Sequence, residues 1–121
     1  MRIVVLVMPV PDPASGAERL GPDGRLDRAA GPAVVNGNDE YALEAALKLV
    51  ETHSGEVTLV SMAPVNAPET MRKALAMGAA SGVHVTDPAL EGSDIVSTAR
   101  VLARPRSVVS TDAIVVPPFE R

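Results

Sequence analysis

Four short apolar runs alternate with stretches of helical periodicity along this chain, and that alternation restricts the possible folds more than any other feature. The runs fall at about residues 2–8, 56–61, 81–85 and 112–116. Near-continuous apolar runs of this length are typical of strands covered on both faces, as in parallel sheets. The connections between them are long enough to carry helices, which favours right-handed crossovers. The sequence therefore predicts an α/β fold of three layers, with a mostly parallel sheet between helices on both faces.

Three helices are predicted between these strands. Residues 36–52 carry apolar side chains at helical spacing. A second helix is expected over residues 70–77 and a third from Ser93 onward. Pro105 should end or kink the third helix, because proline removes a backbone donor and clashes with the preceding turn.

A segment rich in proline and glycine, residues 9–34, separates the first apolar run from the first helix. Its turn-forming residues 21–24 predict a small exposed hairpin, or a mobile loop, inserted after the first strand. The chain has 121 residues, of which 46% are hydrophobic and 21% charged, which suits one buried core. We therefore expect a single domain over residues 1–121.

Composition excludes several classes of function. The chain has no cysteine, which removes disulfides, thiolate metal sites and iron–sulfur clusters. Its net charge is −4 and its basic residues are scattered, so nucleic acid is not an expected partner. No run approaches the roughly 20 apolar residues of a membrane span. We expect no stable membrane insertion and a cytoplasmic location.

No group of residues predicts catalysis by this chain. The motifs GxGxxG, GxxxxGK[ST] and GxSxG are missing. His53 falls in the turn after the first helix, and His84 falls in a predicted strand, where a half-buried, hydrogen-bonded histidine is more common than a metal ligand. Whether the protein is an enzyme is therefore left open, with a binding role favoured.

Residues 36–39 form the best polar cluster. Backbone N–H groups at a helix start can hold an anion, and amide side chains can bind a ribose or a phosphate. Ordinary capping explains the same residues, because Asn36 with Asp39 three positions later resembles a capping box. Spacing alone leaves both interpretations open.

Three stretches resemble the beta subunit of the electron transfer flavoprotein family. They are residues 1–12 (MRIVVLVMPVPD), 35–46 (VNGNDEYALEAA) and 69–79 (ETMRKALAMGA), the last followed by the strand at 83–85. The second is similar to the family's Asn-Pro-x-Asp-Glu-x-Ala-x-Glu-x-Ala helix start. The third is the most specific, since it is similar to the family block Glu-Thr-x-Arg-x-Ala-Leu-Ala-Met-Gly-Ala.

This resemblance implies a Rossmann-like fold of the adenine-nucleotide-hydrolase type and a role as an electron carrier component. Such beta subunits pair with an alpha subunit that makes most of the FAD contacts, and the carrier passes electrons from flavin dehydrogenases to a quinone reductase. They also hold a structural AMP. Carried over by position, the implied AMP contacts are Leu6, Asn36, Gly37, Asn38, Asp39 and Met62, of which Leu6 and Met62 can act only through backbone groups or packing.

Three departures from the family pattern affect these expectations. Gly37 replaces a proline, which loosens the first helical turn and weakens the expected AMP site. Residues 115–121 (VVPPFER) stand where the family has a Gly-x-Gln-x-x-Asp-type loop around the phosphate. The family segment that recognises dehydrogenases is also missing, which puts flavin dehydrogenases as partners in question. A stand-alone adenine-nucleotide-binding domain like the universal stress proteins, or an inactive truncated homologue, are the alternatives.

Overall fold

A computed structural model describes residues 1–16, 18–64 and 68–104, together with the backbone of 113–115. In chain order the elements are β1 Arg2–Leu6, β2 Pro9–Pro11, β3 Ala33–Val35, α1 Gly37–His53, β4 Glu56–Met62, α2 Pro68–Leu75, β5 Ser81–Val85, α3 Ile95–Ala103 and β6 Ala113–Val115. Single turns of 3-10 helix occupy Pro13–Ser15 and Pro88–Leu90.

The central sheet has four parallel strands in the order β5-β4-β1-β6. From β1 the chain moves outward through α1 to β4 and through α2 to β5. It then crosses back through α3 to place β6 on the other side of β1, so the strand order reverses at β1. The predicted α/β fold with a parallel sheet is confirmed.

Both faces of this sheet are covered, which explains why its strands are almost continuously apolar. On one face α1 and α2 pack against β1 and β4 in a core that includes Ile3, Val5, Ala42, Leu43, Ala46, Val57, Leu59 and Ala74. On the other face Val4 and Val60 are buried, and α3 packs across β4. The three layers follow from burial of alternate side chains on opposite faces.

A second, two-stranded sheet follows β1. The strand β1 itself ends at Leu6, two residues earlier than predicted. β2 and β3 pair antiparallel, although the prolines of residues 9–11 had indicated a loop. Backbone bonds from Asn36 N to Met8 O (3.2 Å) and from Asp12 N to Pro32 O (3.0 Å) flank the pair. Since only alternate residues donate across an antiparallel pair, the prolines occupy positions where no N–H is required. We call β2 and β3 together the ribbon.

The predicted hairpin is confirmed in a small form. Leu20 and Leu26 make a single antiparallel bridge, closed by a turn in which Gly24 N donates to Gly21 O at 3.0 Å. The Arg25 side chain lies against the turn after β5, where a Cβ added to Gly92 would fall 2.4 Å from Arg25 Cζ. The tip of the hairpin therefore lies beside Gly92, in the segment between β5 and α3.

The remaining predicted elements lie within about two residues of their observed bounds. The end or kink predicted at Pro105 lies outside the described residues. Within the described part of the chain, no helix combines the length and the apolar character that crossing a membrane requires.

Candidate functional site

The candidate site lies at the carboxyl ends of β1 and β4, where ligands bind in open α/β sheets close to the point of strand reversal. Leu6 is the last residue of β1 and pairs with Val60. Met62 ends β4 two residues beyond that pair. Both predicted residues are half-buried at this edge of the sheet. Because their side chains are apolar, they can contact a ligand only through backbone groups or packing.

The loop before α1 is built as a helix cap. Asn36 is the N-cap, and its side-chain Oδ1 accepts a hydrogen bond from Asn38 N at 3.1 Å. The Asn36 carbonyl accepts from Asp39 N (3.0 Å) and Glu40 N (3.1 Å). The predicted cap is confirmed, and Gly37 is the first helical residue.

The second half of the predicted capping box does not form. The Asp39 carboxylate accepts from Met8 N at 2.5 Å, just after β1, instead of folding back to Asn36 N. Asn36 N is already engaged, since it donates to Met8 O at 3.2 Å beside the ribbon. The result is a pair of bonds that joins the end of β1 to the start of α1.

Asp39 is a buried carboxyl group, with 3% of its surface exposed. Burial in a less polar environment raises its pKa from 3.8 to about 6, and the hydrogen bond from Met8 N opposes only part of this rise. A perturbed carboxyl at the ligand-binding edge of a sheet is a reasonable functional candidate. Its bond to Met8 indicates that it positions the loop.

A cleft of about 590 Å³ opens beside this loop, between the ribbon, the base of the hairpin and the start of α1. Its volume is in the range of small-ligand sites. Of the six predicted contact residues, Asn36 and Gly37 line it, while Leu6, Asn38, Asp39 and Met62 do not. The ribbon wall, with Val10 and Val34, was missed because prolines hid the strand pattern.

Neither histidine belongs to this site. His84 is half-buried in β5, and its ring Nε2 lies 3.0 Å from Ala63 O, as expected for a hydrogen-bonded strand residue. His53 is the last residue of α1. The part of the chain that the structure describes contains no cluster of three or more acidic or histidine residues suited to a metal ion.

Comparison with known proteins identifies the family. The model of the electron transfer flavoprotein domain matches residues 23–117. This chain belongs to the electron transfer flavoprotein family. The resemblance to its beta subunits is confirmed, because the electron transfer flavoprotein subunit beta of Mycobacterium leprae is 38% identical over 119 residues, covering 94% of this chain and 45% of the relative.

Two other proteins are also similar to this chain. Protein FixA of Azorhizobium caulinodans is 42% identical over 104 residues, and the match covers 85% of this chain and 36% of the FixA chain. The acryloyl-CoA reductase electron transfer subunit gamma of Anaerotignum propionicum is 40% identical over 103 residues, and the match covers 85% of this chain and 38% of that subunit. The chain thus spans less than half the length of these three relatives.

Proposed function

We propose that this protein is a beta-type component of an electron carrier, which docks on an alpha-type subunit and helps to hold its FAD. The observation that carries the proposal is the alignment of an electron transfer flavoprotein beta subunit along 94% of this chain. The full carrier would pass electrons from flavin dehydrogenases to a quinone reductase. FAD would supply the redox chemistry, and this chain would supply binding and positioning groups.

An AMP site at the start of α1 is part of this proposal. The cap uses Asn36 Oδ1, which leaves the Asn36 amide nitrogen able to donate to a ribose or a base. Asn38 is half-buried in the same turn, and Leu6 and Met62 offer backbone and packing contacts at the neighbouring strand ends. Asp39 would act as a positioning residue through Met8.

The charges at the cleft indicate which part of the nucleotide would bind there. The acidic side chains of Asp12 and Glu18 line the cleft, and they disfavour a phosphate. Uncharged groups at residues 36–38 suit a ribose or an adenine better. We therefore propose that this chain holds the nucleoside portion of AMP.

Co-expression with an alpha-type electron transfer flavoprotein subunit tests the main proposal. We expect a co-purifying complex that is yellow because it retains flavin, with more bound flavin than the alpha-type subunit expressed alone. Size-exclusion chromatography and an absorption spectrum are the measurements. A colourless, monomeric product would contradict the proposal, and AMP binding by that monomer would favour the stand-alone nucleotide-binding alternative.

Two substitutions in the loop test the AMP site. Gly37→Pro should raise the free energy of unfolding by about 0.5–1 kcal/mol, because proline is favoured at the first helical position and restricts the unfolded chain. The site accepts it, since Asn36 has φ −57° and ψ 133° and no atom lies within 4 Å of an added Cβ. A pre-organised loop should also bind AMP more tightly.

Asn38→Ala should weaken AMP binding about tenfold by removing one hydrogen-bonding amide, while helix stability is kept because alanine favours helix. Calorimetric titration with AMP, ADP and ATP measures binding, and Gly37→Ala serves as the control that fills the same space without a proline ring. Absence of heat with all three nucleotides would contradict the AMP site and leave the docking proposal standing.

A further inference from the structure

Among the helices of the described chain, α3 is buried least. None of its residues is fully buried, and its contact with the sheet runs over β4. Thr98, Val101 and Leu102 are half-buried, and helical spacing places these three on one side of the helix. That side is the one that packs on the sheet, so the other apolar residues of α3 are left facing solvent.

Four of those apolar residues form a continuous stripe. Ile95, Ala99 and Ala103 follow one another at intervals of four, and Val96 lies beside Ala99. All four are exposed, Ile95 to 64% and Val96 to 54%. We call these four residues the α3 stripe. A single exposed aliphatic side chain is ordinary, whereas a continuous apolar surface is typical of an interaction site.

Opposite charges flank the α3 stripe at its two ends. Glu91 and Asp94 lie just before the first turn, whereas Arg100 and Arg104 lie at the end of the helix, and all four are exposed. Ser97 N donates to Asp94 Oδ1 at 2.7 Å, and this bond lowers the pKa of the Asp94 carboxyl, which keeps it charged. A surface that matches the stripe must therefore be apolar at its centre, basic at one end and acidic at the other.

A second copy of α3, running in the opposite direction, is such a surface. Ala99 lies midway between Asp94 and Arg104. A two-fold axis at Ala99 would place Ile95 opposite Ala103 of the second copy, so that a large side chain meets a small one. It would also bring the acidic end of each helix to the basic end of the other. The small side chain of Ala99 suits the close crossing, since packed helices lie about 8–10 Å apart.

The other helical stripe of exposed apolar residues lacks this match of charges. On α1, Tyr41, Ala45 and Leu49 follow one another at intervals of four, and all three are exposed. Glu40 and Glu51 flank this row, one at each end. An antiparallel second copy of α1 would therefore bring like charges together, which disfavours the pairing. The charges thus favour α3.

We propose that two copies of this chain associate through the α3 stripe, with the two helices antiparallel. Self-complementary contacts about a two-fold axis are the commonest way in which identical chains pair. Each helix has nine residues, so the contact is smaller than the roughly 1,600 Å² of a standard interface, and we expect a weak dimer that depends on concentration. None of the six proposed AMP contacts lies in α3, so this association goes beyond the proposed function.

Sedimentation equilibrium of the 121-residue chain, from about 10 μM to about 1 mM, measures the association. The average mass should rise toward twice that of the monomer. Ala99→Glu should weaken the dimer about tenfold or more, because the two-fold axis brings the two glutamates together. Ala45→Glu is the matched control, since it makes the same substitution at an exposed alanine of the competing stripe. The control should dimerise like the parent.

A double-mutant cycle tests the charged ends. Asp94→Asn keeps the helix cap and removes the charge, and Arg100→Gln removes the opposite charge. Within one helix these two residues lie on different sides, so they can couple only across the dimer. Each change should weaken the dimer, and the double variant should lose less than the sum of the two losses. Arg72→Gln, at an exposed arginine in the last turn of α2, should have no effect.

Three results would overturn the proposal. They are a monomer at every concentration, a dimer that Ala45→Glu weakens and Ala99→Glu does not, and a monomeric chain whose co-purification with an alpha-type subunit is lost in Ala99→Glu. The second would place the interface on α1, and the third would assign the stripe to the alpha-type subunit. A chain that dimerises through α3 but forms no yellow complex would support this proposal and contradict the proposed function.

Discussion

Gly55→Ala is expected to reduce the free energy of unfolding by about 4 kcal/mol or more, a loss that only a few mechanisms produce in a single substitution. Gly55 has φ +150°, a backbone conformation that residues with a Cβ rarely adopt. A Cβ at this position would fall 1.8 Å from Met1 O and 2.8 Å from Met1 C. The alanine side chain would thus displace backbone atoms, which have no alternative rotamer.

The displaced backbone belongs to the central sheet. Met1 O accepts from Glu56 N at 3.0 Å, and Arg2 and Glu56 then begin the pairing of β1 with β4. Moving Met1 would therefore break the first step of the register between the two central strands. Domains of this size have about 5–15 kcal/mol of stability in total, so much of it is at risk.

Urea unfolding followed by circular dichroism measures this loss. Gly37→Ala is the matched control, because an added Cβ there has no atom within 4 Å and the position is helical. We expect the control to be as stable as the parent or slightly more so. A Gly55→Ala protein within about 1 kcal/mol of the parent would contradict the close approach to Met1.

Gly55 also illustrates how far sequence alone could go. The helix predicted over residues 36–52 ends within one residue of α1, which closes at His53, just before Ser54 and Gly55. Only the packed structure shows that the same glycine is needed where Met1 passes it. The end of a helix can be predicted from neighbouring residues in the sequence. The clash of a side chain at residue 55 with Met1 depends on how β1 and β4 come together in the fold.

The central strands were predictable for a similar reason, and the ribbon was not. Burial on both faces gives β1 and β4 sequences that are mostly apolar, and within them only Arg2, Glu56, Thr58 and Ser61 are polar. The ribbon has prolines at residues 9 and 11, whose local preference favours loops. Its strand character arises only from antiparallel pairing with residues 33–35, which exchange backbone hydrogen bonds with the residue between the two prolines.

At the candidate site the cap could be predicted and the fate of Asp39 could not. Asn36 acts on its own turn, so spacing identifies it. Asp39 instead accepts from Met8 N, 31 residues earlier, and Asn36 N donates to Met8 O, so neither group is left to form the reciprocal bond of a capping box. The six proposed AMP contacts themselves come from family resemblance and stay predictions.

Asp39→Asn is expected to remove a pH dependence of stability worth about 3 kcal/mol. The pKa of Asp39 is raised from 3.8 to about 6 in the folded protein, first by burial, with the Met8 hydrogen bond opposing it. Between about pH 4 and about pH 6 the folded state therefore holds more protons than the unfolded state. The free energy of unfolding contributed by this group is greatest at low pH and falls as pH rises through that window.

Above about pH 6 the folded protein carries a buried charge that the asparagine variant lacks. Asparagine keeps an oxygen that can accept from Met8 N, so Asp39→Asn should be more stable than the parent near neutral pH and similar to it near pH 4. Urea unfolding at a series of pH values measures the difference. Asp39→Ala should be less stable than Asp39→Asn at every pH, because it leaves Met8 N without its acceptor.

The control for this comparison is Glu40→Gln, which removes one negative charge from an exposed side chain in the same helical turn. It should leave the slope between pH 4 and pH 6 nearly unchanged, since exposed carboxylates interact weakly through water. Equal slopes in Asp39→Asn and in the parent would contradict the raised pKa. If Asp39→Asn and Glu40→Gln both lost the pH dependence of stability, the effect would instead come from the total charge at the start of α1.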